Sequence, residues 1–278
     1  MPFASNGVVQ LYYEDHGSGA PIIFVHEFAG DVRSWAPQIH GLSRRFRCIA
    51  FNARGYPPSS VPEMESEYGY EKAVDDVRVV MDACKLDSAH IVGLSMGGYA
   101  AMSFAITHPA RARSAVIAAA GSGSDPEGRP AYLEESAQLA DRLEQLGMVE
   151  GIAKYAHSPS REPLKEKDPL GFAEFLRNFS EHSAKGSART LRGFQIGRPT
   201  IYSWDSELKR MQVPALIIVG DRDAGCVRPS FFLRNRLPNS RLAVMPNTGH
   251  CANLEEPAIF NHFVEELVSG EERRRGVK

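Results

Sequence analysis

Short apolar runs of strand length alternate along this chain with segments of helical period, and that alternation restricts the fold more than any other feature. The runs lie near Ile22 to Val25, Cys48 to Phe51, His90 to Val92, Ala115 to Ala119, Leu216 to Val219 and Leu242 to Met245. Between them, Tyr70 to Cys84 sets Ala73, Val74, Val77, Val80 and Met81 on one stripe. Ala258 to Val268 does the same with Ile259, Phe260, Phe263, Val264 and Leu267, behind Pro257 at the first helical turn. Strands that alternate with helices pair in parallel through crossovers, so the pattern predicts an α/β fold whose mostly parallel sheet is covered on both faces. An earlier stretch, Val8 to Glu14, mixes β-branched and aromatic residues and predicts an antiparallel arm.

The alternation stops between Gly121 and Ala215. Residues 124–209 hold helical patterns, such as Tyr132 to Leu146 and Leu170 to Phe179, separated by Pro159, Pro163 and Pro169. They predict an all-helical cap inserted between two parts of the α/β core, 1–123 and 210–278. Such an insertion lies over the carboxyl ends of the strands, where open α/β sheets bind ligands. The tail Glu271 to Arg275 reads as a solvated, frayed end.

Charge and cysteine usage narrow the partners. Lys+Arg 32 against Asp+Glu 34 leaves a net charge of −2, without the basic excess that nucleic-acid binding needs. No apolar run approaches the roughly 20 residues of a membrane span, and the first residues carry neither a basic nor an apolar leader segment. Cys48, Cys84, Cys226 and Cys251 form no CxxC pair, which fits a reducing cytoplasm. The expected partner is a small-molecule substrate, with no nucleic acid and no membrane, and with a homodimer left open. Neither a metal nor a cofactor is expected, because no HxxxH or Cys/His cluster has ligand spacing.

Gly93-Leu94-Ser95-Met96-Gly97-Gly98 follows one apolar run and precedes the helical pattern Tyr99 to His108. A serine on a sharp strand-to-helix turn has its hydroxyl pushed out of the sheet, and the flanking glycines prevent collisions. The N–H of Met96 falls at a helix N-terminus, where it can stabilise an oxyanion. A serine nucleophile needs a base, and the base an orienting carboxylate. Asp221 and Asp223 follow one later strand and His250 follows the next, on the same rim of the sheet as Ser95. Asp223 lies further past its strand and is preferred, with Asp125 a weaker candidate. His90, His108 and His262 fall inside or at the ends of secondary-structure elements and read as structural. Cys226 and Cys251 read as small wall residues beside the acid and the base.

On these residues the chain resembles the α/β-hydrolase fold superfamily over nearly its whole length. The likeness rests on His26-Glu27-Phe28-Ala29-Gly30 with Trp35, on Asn52-Ala53-Arg54-Gly55 with Ser59, and on the Ser95 elbow. Gly220 to Asp223, and Gly249-His250 through Glu255 to Pro257, complete it. The resemblance implies Ser95 as nucleophile, His250 as base, Asp223 as its partner, and the N–H groups of Phe28 and Met96 as the oxyanion hole. The chain departs from the family pattern at Glu27, Asn52 and Pro57. A carboxylate aimed at an oxyanion would oppose catalysis, so Glu27 is expected to turn into a hydrogen bond or ion pair, with Arg54 as its partner. The sharper alternative puts Glu27 on the pocket wall against a polar substrate group. Among the aromatic residues, Phe28 and Trp204 are expected to touch substrate. By resemblance the activity is that of a serine carboxylesterase or lactonase acting on a small to medium, largely apolar substrate. The alternatives are a C–C bond hydrolase of aromatic ring-fission products and a slow-turnover ligand receptor of the same fold.

Overall fold

The computed structural model describes residues 2–276. Its strands are β1 (Phe3–Ser5), β2 (Gln10–His16), β3 (Ala20–Val25), β4 (Phe46–Phe51), β5 (Ala89–Leu94), β6 (Ala112–Ala118), β7 (Ala215–Gly220) and β8 (Ser240–Met245). They form one sheet in the order β1-β2-β4-β3-β5-β6-β7-β8. β1 and β2 run antiparallel to their neighbours, and every pairing from β4 to β8 is parallel.

The central strands β3 to β7 are largely apolar because both faces of the sheet are buried there, whereas the edge strands β1, β2 and β8 carry exposed polar residues. Side chains on alternate positions go to opposite faces. Ile23, Val25, Ile49, Phe51, Ile91, Ile117 and Ile217 enter one core. Ile22, Phe24, Cys48, Ala50, Val92, Val116, Leu216 and Ile218 enter the other. Each buried Val, Ile or Phe contributes about 1.5–3 kcal/mol of transfer free energy. The crossovers are α1 (Ala36–Leu42), α2 (Tyr70–Ala83) and α3 (Met96–Thr107). Between β6 and β7 the chain makes no strand and runs through α4 (Arg129–Gly151), α5 (Ala153–Ala156), α6 (Glu162–Lys167), α7 (Pro169–Ser180), α8 (Ala184–Thr190) and α9 (Asp205–Arg210). α4 is broken at Gly147, whose φ of 74° ends the regular turn. A π-helical segment, Leu191–Ile196, continues α8. After β7 follow α10 (Ala224–Arg236), α11 (Ala252–Glu255) and α12 (Pro257–Arg274). No helix of the described residues is long and apolar enough to cross a membrane.

The tail matches the solvated end read from sequence at Arg273, Arg274 and Arg275, which are exposed, and departs from it at the two glutamates. Glu271 and Glu272 are buried within α12. Glu272 pairs with Arg113 at 3.0 Å and meets His90 at 3.1 Å, so the last turns of the helix are fastened to β5 and β6. Charge density alone suggested exposure, and the cross-chain partners reverse it.

Candidate active site

The residues singled out from sequence follow the carboxyl ends of four strands. Glu27 and Phe28 follow β3, Ser95 follows β5, Asp223 follows β7 and His250 follows β8. Ser95 sits between β5 and α3 with φ 55° and ψ −111°, a strained conformation for any residue with a side chain. It is held there by close backbone approach. A Cβ on Gly93 would lie 2.0 Å from the carbonyl oxygen of Gly97, and one on Gly97 would lie 1.9 Å from that of Val25. The Ser95 N–H donates to Ala118 at 2.8 Å, tying the turn to the neighbouring strand.

His250 Nδ1 donates to Asp223 Oδ2 at 2.7 Å, with both side chains buried. Burial alone would lower the imidazole pKa, but the charge and hydrogen bond of Asp223 outweigh it and lift the value above the ordinary one. The alternative acids are engaged elsewhere. Asp221 accepts from the Thr248 N–H at 3.2 Å, and Asp125 accepts from Tyr202 at 3.0 Å and faces Arg228 at 3.6 Å. Glu255 grips the histidine loop from both sides, accepting from the N–H of Gly249 at 2.7 Å and of Cys251 at 3.1 Å. Ser95 and His250 line one cavity of about 230 Å³, at the small end of ligand sites.

The loop after β3 is shaped by His26. Its Nε2 accepts from the Ala53 N–H at 3.0 Å, so Nδ1 carries the proton and donates to the Glu27 carbonyl at 2.7 Å. Burial holds this ring neutral, with the pKa lowered to about 4. Among the described residues no acceptor takes the Phe28 N–H. Met96, as the first residue of α3, has an N–H without an intrahelical partner.

Three expectations change. Glu27 does not pair with Arg54, whose guanidinium is taken by Asp76 at 2.9 Å. It forms a buried bidentate pair with Arg161 instead, Nη2 to Oε2 at 2.6 Å and Nη1 to Oε1 at 2.9 Å. Burial pushes the Glu27 carboxyl up, but the Arg161 charge and hydrogen bonds reverse this and bring it to about 2. Nor is Glu27 on the cavity wall, which its partner Arg161 lines in its place. Phe28 does line the cavity. Trp204 does not, because its Nε1 donates to Tyr99 Oη at 2.8 Å and its ring packs edge-on against Tyr70. The lining is also more polar than an apolar substrate would require, since it includes Ser122, Tyr132, Ser158, Ser160, Gln195 and Arg198. Arg161, Gln195 and Arg198 were not legible in the sequence, because polar residues in short helical turns and the bends between them carry no signal that distinguishes wall from surface.

Asp223, Cys226 and His250 bring one possible metal-ligand atom each within 4.8 Å of one another. These atoms are already engaged. The acid and base bond to each other, and the Cys226 thiol donates to the Ala119 carbonyl at 3.1 Å, with burial pushing its pKa well up. This donor set fits a hydrogen-bonded group and not a metal's ligands.

A family model described as alpha/beta hydrolase fold matches residues 20–257. The chain is similar to a Bacillus subtilis (strain 168) protein provisionally named 2-succinyl-6-hydroxy-2,4-cyclohexadiene-1-carboxylate synthase, at 27% identity over 94% of this chain and 95% of that one. It is also similar to carboxylesterase YbfK of the same strain, at 26% identity over 90% of this chain and 80% of that one. Among solved structures it is similar to a thermophilic esterase from Thermogutta terrifontis, with a TM-score of 0.85 at 23% identity and 97% of both chains covered, a likeness of fold. The family model, which covers most of the chain, and the relatives that match along it lead to one assignment: the chain belongs to the α/β-hydrolase fold family and is a hydrolase of that fold.

Proposed function

We propose that this protein is a serine hydrolase that cleaves a carboxylic ester or lactone of a small molecule through an acyl-enzyme. The observation that carries the reading is a strained Ser95 lining the same cavity as His250, whose Nδ1 is hydrogen-bonded to Asp223.

Ser95 Oγ attacks the substrate carbonyl carbon while His250 Nε2 takes the hydroxyl proton. Asp223 fixes the tautomer by holding Nδ1–H and stabilises the imidazolium. The negative charge that forms on the carbonyl oxygen is received by the N–H groups of Phe28 and Met96. His250 returns the proton to the leaving alcohol, or to the ring oxygen of a lactone. Water then attacks the acyl group, again giving its proton to His250, and the acid departs with Ser95 restored. Glu27 lies 4.0 Å from His250 Nε2, near the developing charge. Its pairing with Arg161 keeps this carboxylate from opposing the reaction. Four free, buried cysteines suit a reducing compartment, and we place the enzyme in the cytoplasm with a small-molecule substrate as partner.

The test is a panel of short and long p-nitrophenyl esters and lactones, scored by kcat/KM for the native enzyme and for Ser95→Ala. The reading requires turnover of at least one class and a fall of at least about 10³-fold in the variant. Undiminished turnover by Ser95→Ala would remove it.

A further inference from the structure

Two arginines line the candidate cavity, and their surroundings differ. Arg161 is neutralised by Glu27. Arg198 is 4% exposed and has no carboxylate within ion-pair distance among the described residues. Its Nη2 donates to the Ser122 carbonyl at 2.9 Å and to Tyr132 Oη at 3.3 Å. Its Cζ lies 4.9 Å from the Tyr99 ring centroid and 5.8 Å from that of Phe194. Its Nη1 is buried and has no hydrogen-bond partner among the described residues. A guanidinium stays protonated in a protein, so this is a buried charge with an unused pair of donors. Burying a charge without a counter-ion is costly, and leaving its donors unsatisfied adds to the cost.

The surroundings do not supply the missing anion. Arg129 donates to the Arg198 backbone carbonyl at 3.0 Å and adds a second positive charge nearby. The only unpaired acid on the cavity wall among the described residues is Glu135, which is exposed and does not reach Arg198. Ser95 and His250 share the cavity with Arg198. A ligand that places a carbonyl at Ser95 occupies the same cavity as Arg198, which can receive a second group.

We infer that Arg198 receives a carboxylate of the substrate, so that the enzyme selects esters or lactones whose acyl part also bears a free acid. A carboxylate that the Arg198 side chain turns to meet accepts an N–H of Nη1, which is closed off in this structure, and supplies the absent counter-charge. The inference deepens the hydrolase reading and rests on it for the position of the reacting carbonyl. The binding of the anion does not depend on turnover.

The experiment measures equilibrium binding by calorimetry at neutral pH, with succinate, glutarate and adipate, the matching diamides, and inorganic phosphate. At least one dicarboxylate should bind tenfold or more tightly than its diamide and than phosphate. Arg198→Met should weaken that binding at least tenfold, and Arg198→Lys should restore part of it. Equal affinity for diacid and diamide, or unchanged diacid affinity in Arg198→Met, would overturn the inference. Phosphate binding tighter than every diacid would overturn the carboxylate assignment. If Arg198→Met does not fold, the native enzyme still decides through a matched ester pair. The p-nitrophenyl monoester of glutaric acid should then exceed p-nitrophenyl valerate in kcat/KM by at least tenfold, and parity would count against Arg198. Labelling of Ser95 by a fluorophosphonate in the same samples separates the two claims. Diacid binding without labelling removes the hydrolase reading, and labelling without diacid binding removes the role of Arg198.

Discussion

Glu27 and Arg161 face each other across two hydrogen bonds of 2.6 and 2.9 Å, with neither side chain more than 2% exposed. One comes from the loop after β3 and the other from the helical insertion, and the pair closes over the histidine loop. Arg161 Nη1 also reaches Cys251 Sγ at 2.9 Å, and the preceding carbonyl, that of Ser160, accepts the His250 N–H at 2.8 Å. The insertion is thereby fastened to the element that carries the proposed base. Removing one partner strands a buried charge, so Arg161→Met should cost about 3–5 kcal/mol in urea unfolding. Glu27→Met in the same chain should recover much of that loss, because no charge is then left unpaired. A single-variant loss below about 1 kcal/mol, the range of an exposed pair, would contradict this picture. Glu27 has a depressed pKa, so its contribution is present above the unfolded value near 4.5 and is lost as pH falls towards 2.

Asp223 raises the pKa of His250, and the proposed mechanism needs that ring neutral in the free enzyme. The acid limb of kcat/KM should therefore lie above pH 6.5, with activity rising as pH passes through it. Asp223→Asn removes the raising charge and leaves the burial that lowers the pKa. The limb should move to lower pH while the rate falls by about 10⁴-fold. Asp125→Asn, which alters a carboxylate held by Tyr202 and Arg228, should retain native activity. Rate profiles across pH for the three proteins decide the point, and equal losses in both variants would sink the assignment of Asp223.

The elbow was legible in the sequence because its geometry leaves a local trace: Gly93 and Gly97 are required where backbones nearly touch. Asp223 and His250 were legible because each directly follows a strand of recognisable period. What the sequence did not show is long-range pairing. Glu27 and Arg161 are 134 positions apart, and nothing near Arg161 marks it as the partner in preference to Arg54, whose actual partner Asp76 lies in α2. Trp204 looked like a wall residue because aromatic content does not reveal which way a ring faces, and here it is held by Tyr99. The C-terminal turns looked solvated because the partners of Glu272, namely His90 and Arg113, come from distant strands.

His90 gives a stability prediction. It is buried between Ser114 Oγ at 2.8 Å and Glu272 at 3.1 Å, and burial lowers its pKa to about 4. Between that value and the unfolded value near 6.5, the unfolded chain binds a proton that the folded chain excludes. Stability should fall as pH drops through this window, by about 1.4 kcal/mol per pH unit for each such histidine. His26, with its pKa also lowered to about 4, adds in the same direction. His90→Gln should flatten the slope of unfolding free energy against pH by about one proton. An unchanged slope would show that His90 protonates as readily in the folded state.

The backbone contacts at the elbow predict which glycines can be replaced. In Gly97→Ala the added methyl would lie 1.9 Å from the Val25 carbonyl oxygen, which belongs to a central strand and cannot yield cheaply. That variant should lose both thermal stability and labelling of Ser95. Gly128→Ala meets nothing nearer than 4.0 Å and has an ordinary φ of −88°, so it should match the native protein in both measurements. Normal labelling in Gly97→Ala would show that the turn tolerates displacement.

In the proposed mechanism Ser95 is the nucleophile and His250 activates it. The most direct test of that mechanism is intact-mass and peptide analysis after treatment with a fluorophosphonate. A single adduct is expected on the peptide carrying Ser95, with no adduct in Ser95→Ala and a labelling rate at least about 10²-fold lower in His250→Ala. An adduct on another residue, or undiminished labelling of Ser95→Ala, would contradict the mechanism.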